Sequence, residues 1–146
     1  MAVFDNDTAA ADGLKILETE ELPRHIRVIR YPPFDLASRY PTLGPPMVDS
    51  LQGSLSLADV NGPAGSIELY LGTDVLTRGD GTLRPVQWRS FIPGMSRYQR
   101  EVIEKDSIHA SFRAKYAMAL KDHASVKGQD WEGLRIVIDA IRIAAQ

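Results

Sequence analysis

The sequence has no cysteine, which removes disulfides, thiolate zinc sites and cysteine nucleophiles from consideration. It has only three histidines, His25, His109 and His123, at separations that match no metal-ligand spacing. No stretch approaches the ~20 apolar residues of a membrane span, and the first residues lack the basic-then-apolar pattern of a secretory leader. A cytoplasmic protein with no membrane partner is expected. Neither sign of charge is in large excess: 17 Lys and Arg against 19 Asp and Glu leave a formal net charge of −2. Contact with a polyanion therefore has to use a local patch rather than the field of the whole molecule. There is no internal repeat, no low-complexity tract and no G-x-S-x-G element around Ser66. What remains is 146 residues, 44% hydrophobic and 25% charged, the composition of one ordinary globular domain.

Residues 1–31 read as β-α-β. Met1 to Phe4 has the apolar content of a parallel strand, though it is short for one. TAAADGLKILETEE, with Asp7 or Thr8 as N-cap and Leu14 and Leu17 on one side, predicts a helix ended by Pro23. HIRVIRY predicts a β-branched strand bounded by Pro32-Pro33. Six prolines and three glycines between 32 and 63 predict one long irregular loop, anchored by residues such as Phe34, Tyr40 and Val60. In 64–105, Ser66 can cap a short helix stopped at Gly72, and Gly79-Asp80-Gly81 predicts a turn into a strand at about 83–88. The last third, 106–146, carries two amphipathic stripes. Ile108, Phe112, Tyr116, Ala119 and Leu120 form one, behind a possible Asp106 cap, and Leu134, Val137, Ile138 and Ile141 form the other, behind Asp130. With Lys127-Gly128-Gln129 between them, an antiparallel helix pair is expected. The fold class is α/β: a small parallel or mixed sheet, partly Rossmann-like, with a C-terminal helix pair.

The chemistry centres on Phe4-Asp5-Asn6-Asp7. Strand side chains alternate with period two, so Asp5 and Asp7 project to the same side of a strand end. Two carboxylates there are candidate metal ligands, although such a pair also serves simply to cap a helix and solvate a turn. A haloacid-dehalogenase-like phosphatase would need Thr or Val four residues after its first Asp, and that position is Ala9.

VFDNDTAA followed by a helix and a second strand resembles the second acidic motif of the Toprim domain, which topoisomerases, bacterial primases and overcoming-lysogenization-defect-type nucleases share. YPTLGP at 40–45, DVNGPAGSIELYLG at 59–72 and RPVQW at 84–88 are more loosely similar to Toprim-like proteins of bacterial defence and mobile loci. The resemblance implies that Asp5 and Asp7 bind Mg²⁺ or Mn²⁺, and that the chain is the metal-binding half of a nuclease-like, phosphodiester-processing domain. Glu68 is the candidate catalytic carboxylate, with Asp59 and Asn61 as weaker supporting groups. Arg84, Arg89, Arg97, Arg100 and Lys105, interleaved with Trp88, Phe91 and Tyr98, form the candidate nucleic-acid-binding stretch. The family also uses a glutamate on an earlier strand, for which there is no residue before Met1. The expectation is therefore a truncated domain, inactive alone unless another chain supplies that strand, with a sheet edge that a homodimer or partner would cover. A competing expectation is a non-catalytic module that binds a partner protein through its C-terminal helices.

Overall fold

A computed structural model of the chain describes residues 1–20, 22–23, 25–44 and 54–146. The first elements are β1 (Ala2–Phe4), β2 (Asn6–Asp7), α1 (Thr8–Glu18) and β3 (Val28–Arg30). β1 and β3 pair in parallel with Val3 opposite Ile29, the expected β-α-β unit. α1 begins where Asp7 Oδ1 accepts from the Ala10 amide at 2.7 Å, and it buries Ala11 and Leu14, three residues apart. β1 is covered on one side only, leaving Val3 exposed.

The 32–63 segment is not one irregular loop. Its described residues hold α2 (Asp35–Ser38), β4 (Tyr40–Leu43) and β5 (Leu55–Ala58), with β4 and β5 antiparallel and Tyr40 opposite Ala58. Pro41 is tolerated because β4 meets its other neighbour only from Thr42 onward, so no ladder bond is asked of the missing N–H on that side. Next come β6 (Ala64–Gly65), a single 3₁₀ turn at Ile67–Tyr70 and α3 (Thr73–Leu76). The strand expected at 83–88 lies at β7 (Val86–Ile92), and it continues through a Pro93–Met95 turn into β8 (Arg97–Val102), which the sequence reading does not include. These strands form a mixed sheet in the order β5-β4-β7-β8, parallel only between β4 and β7. β2 and β6 make a small antiparallel pair beside it, tied to β8 where the Arg100 amide donates to Pro63 O.

α4 (Lys105–Lys121) and α5 (Glu132–Ala144) complete the α/β fold. They stand as the expected C-terminal helix pair, with Phe112 of α4 edge-on to Trp131 at the start of α5. α4 packs on α3 and on Ile67–Tyr70, and α5 packs on Ile67–Tyr70 as well. A Cβ at Gly133 would lie 2.6 Å from the Tyr70 carbonyl oxygen, so only glycine lets α5 approach this closely. The two helices diverge around a cleft lined by Phe112, Tyr116, Trp131, Leu134 and Ile138. Only part of each stripe is core: Ile108 and Val137 are buried, whereas Tyr116, Leu120 and Ile138 are exposed. Asp130, one residue before the N-cap Trp131, accepts the Glu132 amide through Oδ1 at 3.0 Å, so it orders the entry to α5 from just outside the expected cap position. Asp106 instead sits inside the first turn of α4, which follows Glu104 in left-handed backbone (φ 60°).

The core gathers Tyr40, Val60, Leu69, Tyr70, Leu76, Val86, Val102 and Ile108 between the sheet and the helices. Burying each large apolar side chain contributes about 1.5–3 kcal/mol. Both tyrosine hydroxyls are satisfied, Tyr40 donating to Arg84 O at 2.9 Å and Tyr70 to Pro32 O at 2.6 Å. The chemistry of 64–71 is set by this packing, because Leu69 and Tyr70 anchor the turn from which Glu68 projects. No helix among the described residues is long and apolar enough to cross a membrane.

Candidate functional site

Asp5 lies between β1 and β2, and Asp7 closes β2 opposite Ala64. The β2–β6 pairing is close: a Cβ on Gly65 would lie 2.5 Å from Asn6 O, so glycine there lets the chain run tightly past the D-x-D. The next two residues after Gly65 lead into the 3₁₀ turn, and this brings Glu68 beside Asp5. Burial pushes the Asp5 carboxyl above its ordinary value, the charges of Asp7 and Glu68 push it further, and Lys105 opposes them. Asp7 and Glu68 thus both act on Asp5, although 61 residues separate Asp7 from Glu68 in the sequence (68 − 7).

Glu68 has a different environment from Asp5. Its side chain is 8% exposed, and Oε1 lies 3.1 Å from His109 Nε2. Burial raises its carboxyl, but the Ser66 hydroxyl, its own backbone amide, Lys105 and His109 outweigh that and hold it below the ordinary range. Of the two side-chain neighbours His109 is the firmer contact. Ser66 Oγ lies near the carboxylate but is buried with no partner in hydrogen-bonding geometry. Tyr31 stands on the same side, its phenol raised first by burial and then by Asp5 and Glu68.

Lys105 belongs to this cluster more than to a nucleic-acid stripe. From the first turn of α4 it pairs with Glu101 at 3.3 Å while its charge acts on Asp5 and Glu68. His109, one turn later on the same helix face, reaches Glu68. The spacing of the three histidines gives no sign of this role for His109. The signal that could have found it is the i,i+4 spacing of Lys105 and His109 at the start of an amphipathic helix.

The remaining basic residues divide. Arg84 is buried: Nε meets Glu104 at 3.0 Å, and Nη1 donates to Val75 O at 2.9 Å and Thr77 O at 3.0 Å. It ties α3 to the sheet and is not part of a surface patch, a correction to its expected role. Arg89 forms an exposed pair with Glu101 at 2.8 Å. Arg97 and Arg100 face the 59–63 turn, where Arg100 Nη1 donates to Asp59 O at 2.8 Å. Asp59 itself orders that turn by accepting from the Asn61 amide at 2.8 Å, and Asn61 Oδ1 accepts from the Phe34 amide at 3.1 Å. Both therefore hold the loop rather than face the carboxylates.

The donor set of the acidic cluster is all oxygen, which suits a hard divalent cation. Two of its oxygens are already engaged, Asp7 Oδ1 by the α1 cap and Glu68 Oε1 by His109. Among the described residues, no group of three or more His, Asp or Glu side chains stands close enough together to hold a metal ion as it is. Asp7 Oδ2, Glu68 Oε2 and the Asp5 carboxylate have no hydrogen-bond partner among the described residues, and are the oxygens that could turn toward one. No family model, no curated protein and no solved structure matches the chain.

Proposed function

We propose that Asp5, Asp7 and Glu68 form the acidic centre of a Toprim-like, nuclease-like domain that processes phosphodiesters in nucleic acid with Mg²⁺ or Mn²⁺. The observation that supports this reading is the state of Asp5, a partly buried carboxyl raised by burial and by two neighbouring carboxylates, with Lys105 opposing them. Carboxylates held near one another repel unless a cation intervenes. The partnerless Ser66 hydroxyl beside Glu68 is a second polar group that a hydrated cation could engage.

In this reading Asp5 and Asp7 offer hard oxygens to the cation. When bound, a divalent cation supplies Lewis acidity to a phosphoryl oxygen. Glu68, kept ionised and hydrogen-bonded to His109, is placed to orient an attacking water or hydroxyl by accepting a hydrogen bond from it. Lys105 limits the repulsion among the three acids and adds a positive charge for the phosphate. Isothermal titration with Mg²⁺ and Mn²⁺ should show heat for the wild type that disappears in Asp5→Asn/Asp7→Asn. Incubation of the chain alone with supercoiled plasmid and with single-stranded RNA should show little or no cleavage in either metal, and robust cleavage lost in Asp5→Asn and reduced in Glu68→Gln would instead show that Glu68 completes the site without a further strand. Equal heats in both proteins would end the metal reading.

A second reading, an interaction module acting through the C-terminal helices, is favoured by the cleft between α4 and α5, where Tyr116 and Ile138 are half exposed. Sedimentation of the wild type and Ile138→Glu tests it. A dimer that dissociates in the variant supports it, and a wild-type monomer counts against self-association.

A further inference from the structure

One face of the β7–β8 hairpin is an aromatic ladder that runs outward from the core. Val86 opposite Val102 is the buried rung, Trp88 opposite Arg100 the next, and Phe91 opposite Tyr98 the outermost, beyond a bulge. The Trp88 and Tyr98 ring centroids are 5.3 Å apart, those of Phe91 and Tyr98 are 5.1 Å apart, and the Arg100 guanidinium lies 4.3 Å over the Trp88 ring. The outer rung is open to solvent, Phe91 at 47% and Tyr98 at 38%.

Two features separate this ladder from an ordinary exposed apolar patch. Arg100, on the same face as Trp88 and Tyr98, donates to a backbone carbonyl, and among the described residues it pairs with no carboxylate, so the ladder carries a cation. Beneath the ladder, Trp88 Nε1 and Arg100 Nε are buried N–H donors with no partner among the described residues. Buried donors in folded proteins normally find acceptors. A surface with a guanidinium stacked on one ring and two further exposed rings complements a ligand that brings acidic oxygens and flat π systems together.

We propose that this face of the β7–β8 hairpin is a stacking platform for the bases of single-stranded nucleic acid, with Phe91 and Tyr98 contacting bases and Arg100 contacting the backbone. Unpaired bases expose their faces to aromatic side chains, whereas in a duplex those faces are covered by neighbouring pairs. The platform also adjoins the acidic centre, since Thr8, next to Asp7, has its hydroxyl 3.4 Å from Tyr98 O. The inference deepens the phosphodiester reading by naming its substrate class. It is tested by binding in EDTA, so it can fail or stand apart from cleavage.

The probes are labelled oligo-dT and oligo-rU of about twelve nucleotides, and a duplex of the same length, followed by fluorescence anisotropy. Both single strands should bind at least about tenfold more tightly than the duplex, with quenching of tryptophan emission that is absent in Trp88→Phe. Phe91→Ala/Tyr98→Ala should weaken single-strand binding by about tenfold or more, and Phe91→Tyr/Tyr98→Phe should restore it. Arg100→Gln should reduce the salt dependence by about 0.7 in slope for a single strand. A difference between oligo-dT and oligo-rU identifies which sugar is preferred. Duplex bound as tightly as single strand, unchanged binding by a folded Phe91→Ala/Tyr98→Ala protein, or no binding of any probe would overturn the proposal, whatever the wild type does to plasmid in Mg²⁺. Single-strand preference that depends on the two rings supports it even if Asp5→Asn and wild type are equally inert in cleavage.

Discussion

Asp5 and Glu68 are neighbours with opposite electrostatic character, and pH separates them. A carboxyl whose folded pKa stands above its unfolded value binds its proton more readily in the native state. Its ionisation therefore works against folding, with no penalty below the ordinary value of 3.8 and the full penalty once pH exceeds the raised one. Asp5→Asn should thus raise the urea midpoint near pH 7 in EDTA, and the gain should vanish below about pH 3.8. Glu68 has the reverse sign. Its folded pKa is depressed below 4.5, so its ionised form contributes stability that is present above 4.5 and lost as pH falls through the depressed value. Glu68→Gln should lower the midpoint near neutral pH, and the deficit should close in acid. Urea titrations of the three proteins across the acidic range measure both. A lower neutral midpoint for Asp5→Asn would show that Asp5 is held by favourable contacts rather than strained by its neighbours.

At the level of elements, α5 depends on the close approach at Gly133 more than on contact with α4. Gly133→Ala places a methyl within 3 Å of three Tyr70 backbone atoms, none of which can rotate away. The expected loss is about 1–3 kcal/mol, read from denaturant unfolding. An unchanged midpoint would mean that α5 shifts without loss. The same contrast between local pattern and tertiary placement decides what could be read in advance. β1, α1 and β3 were legible because apolar runs, an Asp cap and prolines all pointed the same way. β4 and β5 were not, because proline and glycine density masked two short strands whose partners are distant in sequence. β8 reads as charged RYQREV, and only alternate residues, Tyr98, Arg100 and Val102, form its ladder. Helical periodicity located both C-terminal stripes but could not say that the stripes diverge around a cleft. At the acidic site, the D-x-D and the proximity of Glu68 could be argued from strand ends gathering at one sheet edge. Lys105 and His109 could not, since their approach depends on where α4 docks, and Arg84 in a basic stretch gave no sign of its burial.

Across the whole molecule, the principal core runs from Ala37 to Val137, and β1, α1 and β3 contribute no buried residue to it. Ala11 and Leu14 are buried outside that cluster, Val3 and Ile16 are exposed, and β1 meets a single strand. Regions with few buried apolar contacts open at lower free energy than the global unfolding step. Amide hydrogens of Val3 and Ile29 should therefore exchange faster, after correction for intrinsic rates, than those of Val86 and Val102 in the central sheet. The proposed cation site spans this division, because Asp5 and Asp7 belong to the peripheral unit and Glu68 to the core. A cation bound across it adds its binding free energy to the opening of the peripheral unit, about 2.7 kcal/mol at a hundred times its dissociation constant. Mg²⁺ should then slow exchange in β1 and the start of α1 by roughly a hundredfold and leave the central sheet nearly unchanged while local opening dominates there. Asp7→Asn should remove that selective protection. Hydrogen exchange read by mass spectrometry with and without Mg²⁺ measures it, and protection absent, or unchanged in Asp7→Asn, would detach the D-x-D from metal binding while leaving the β-α-β unit intact.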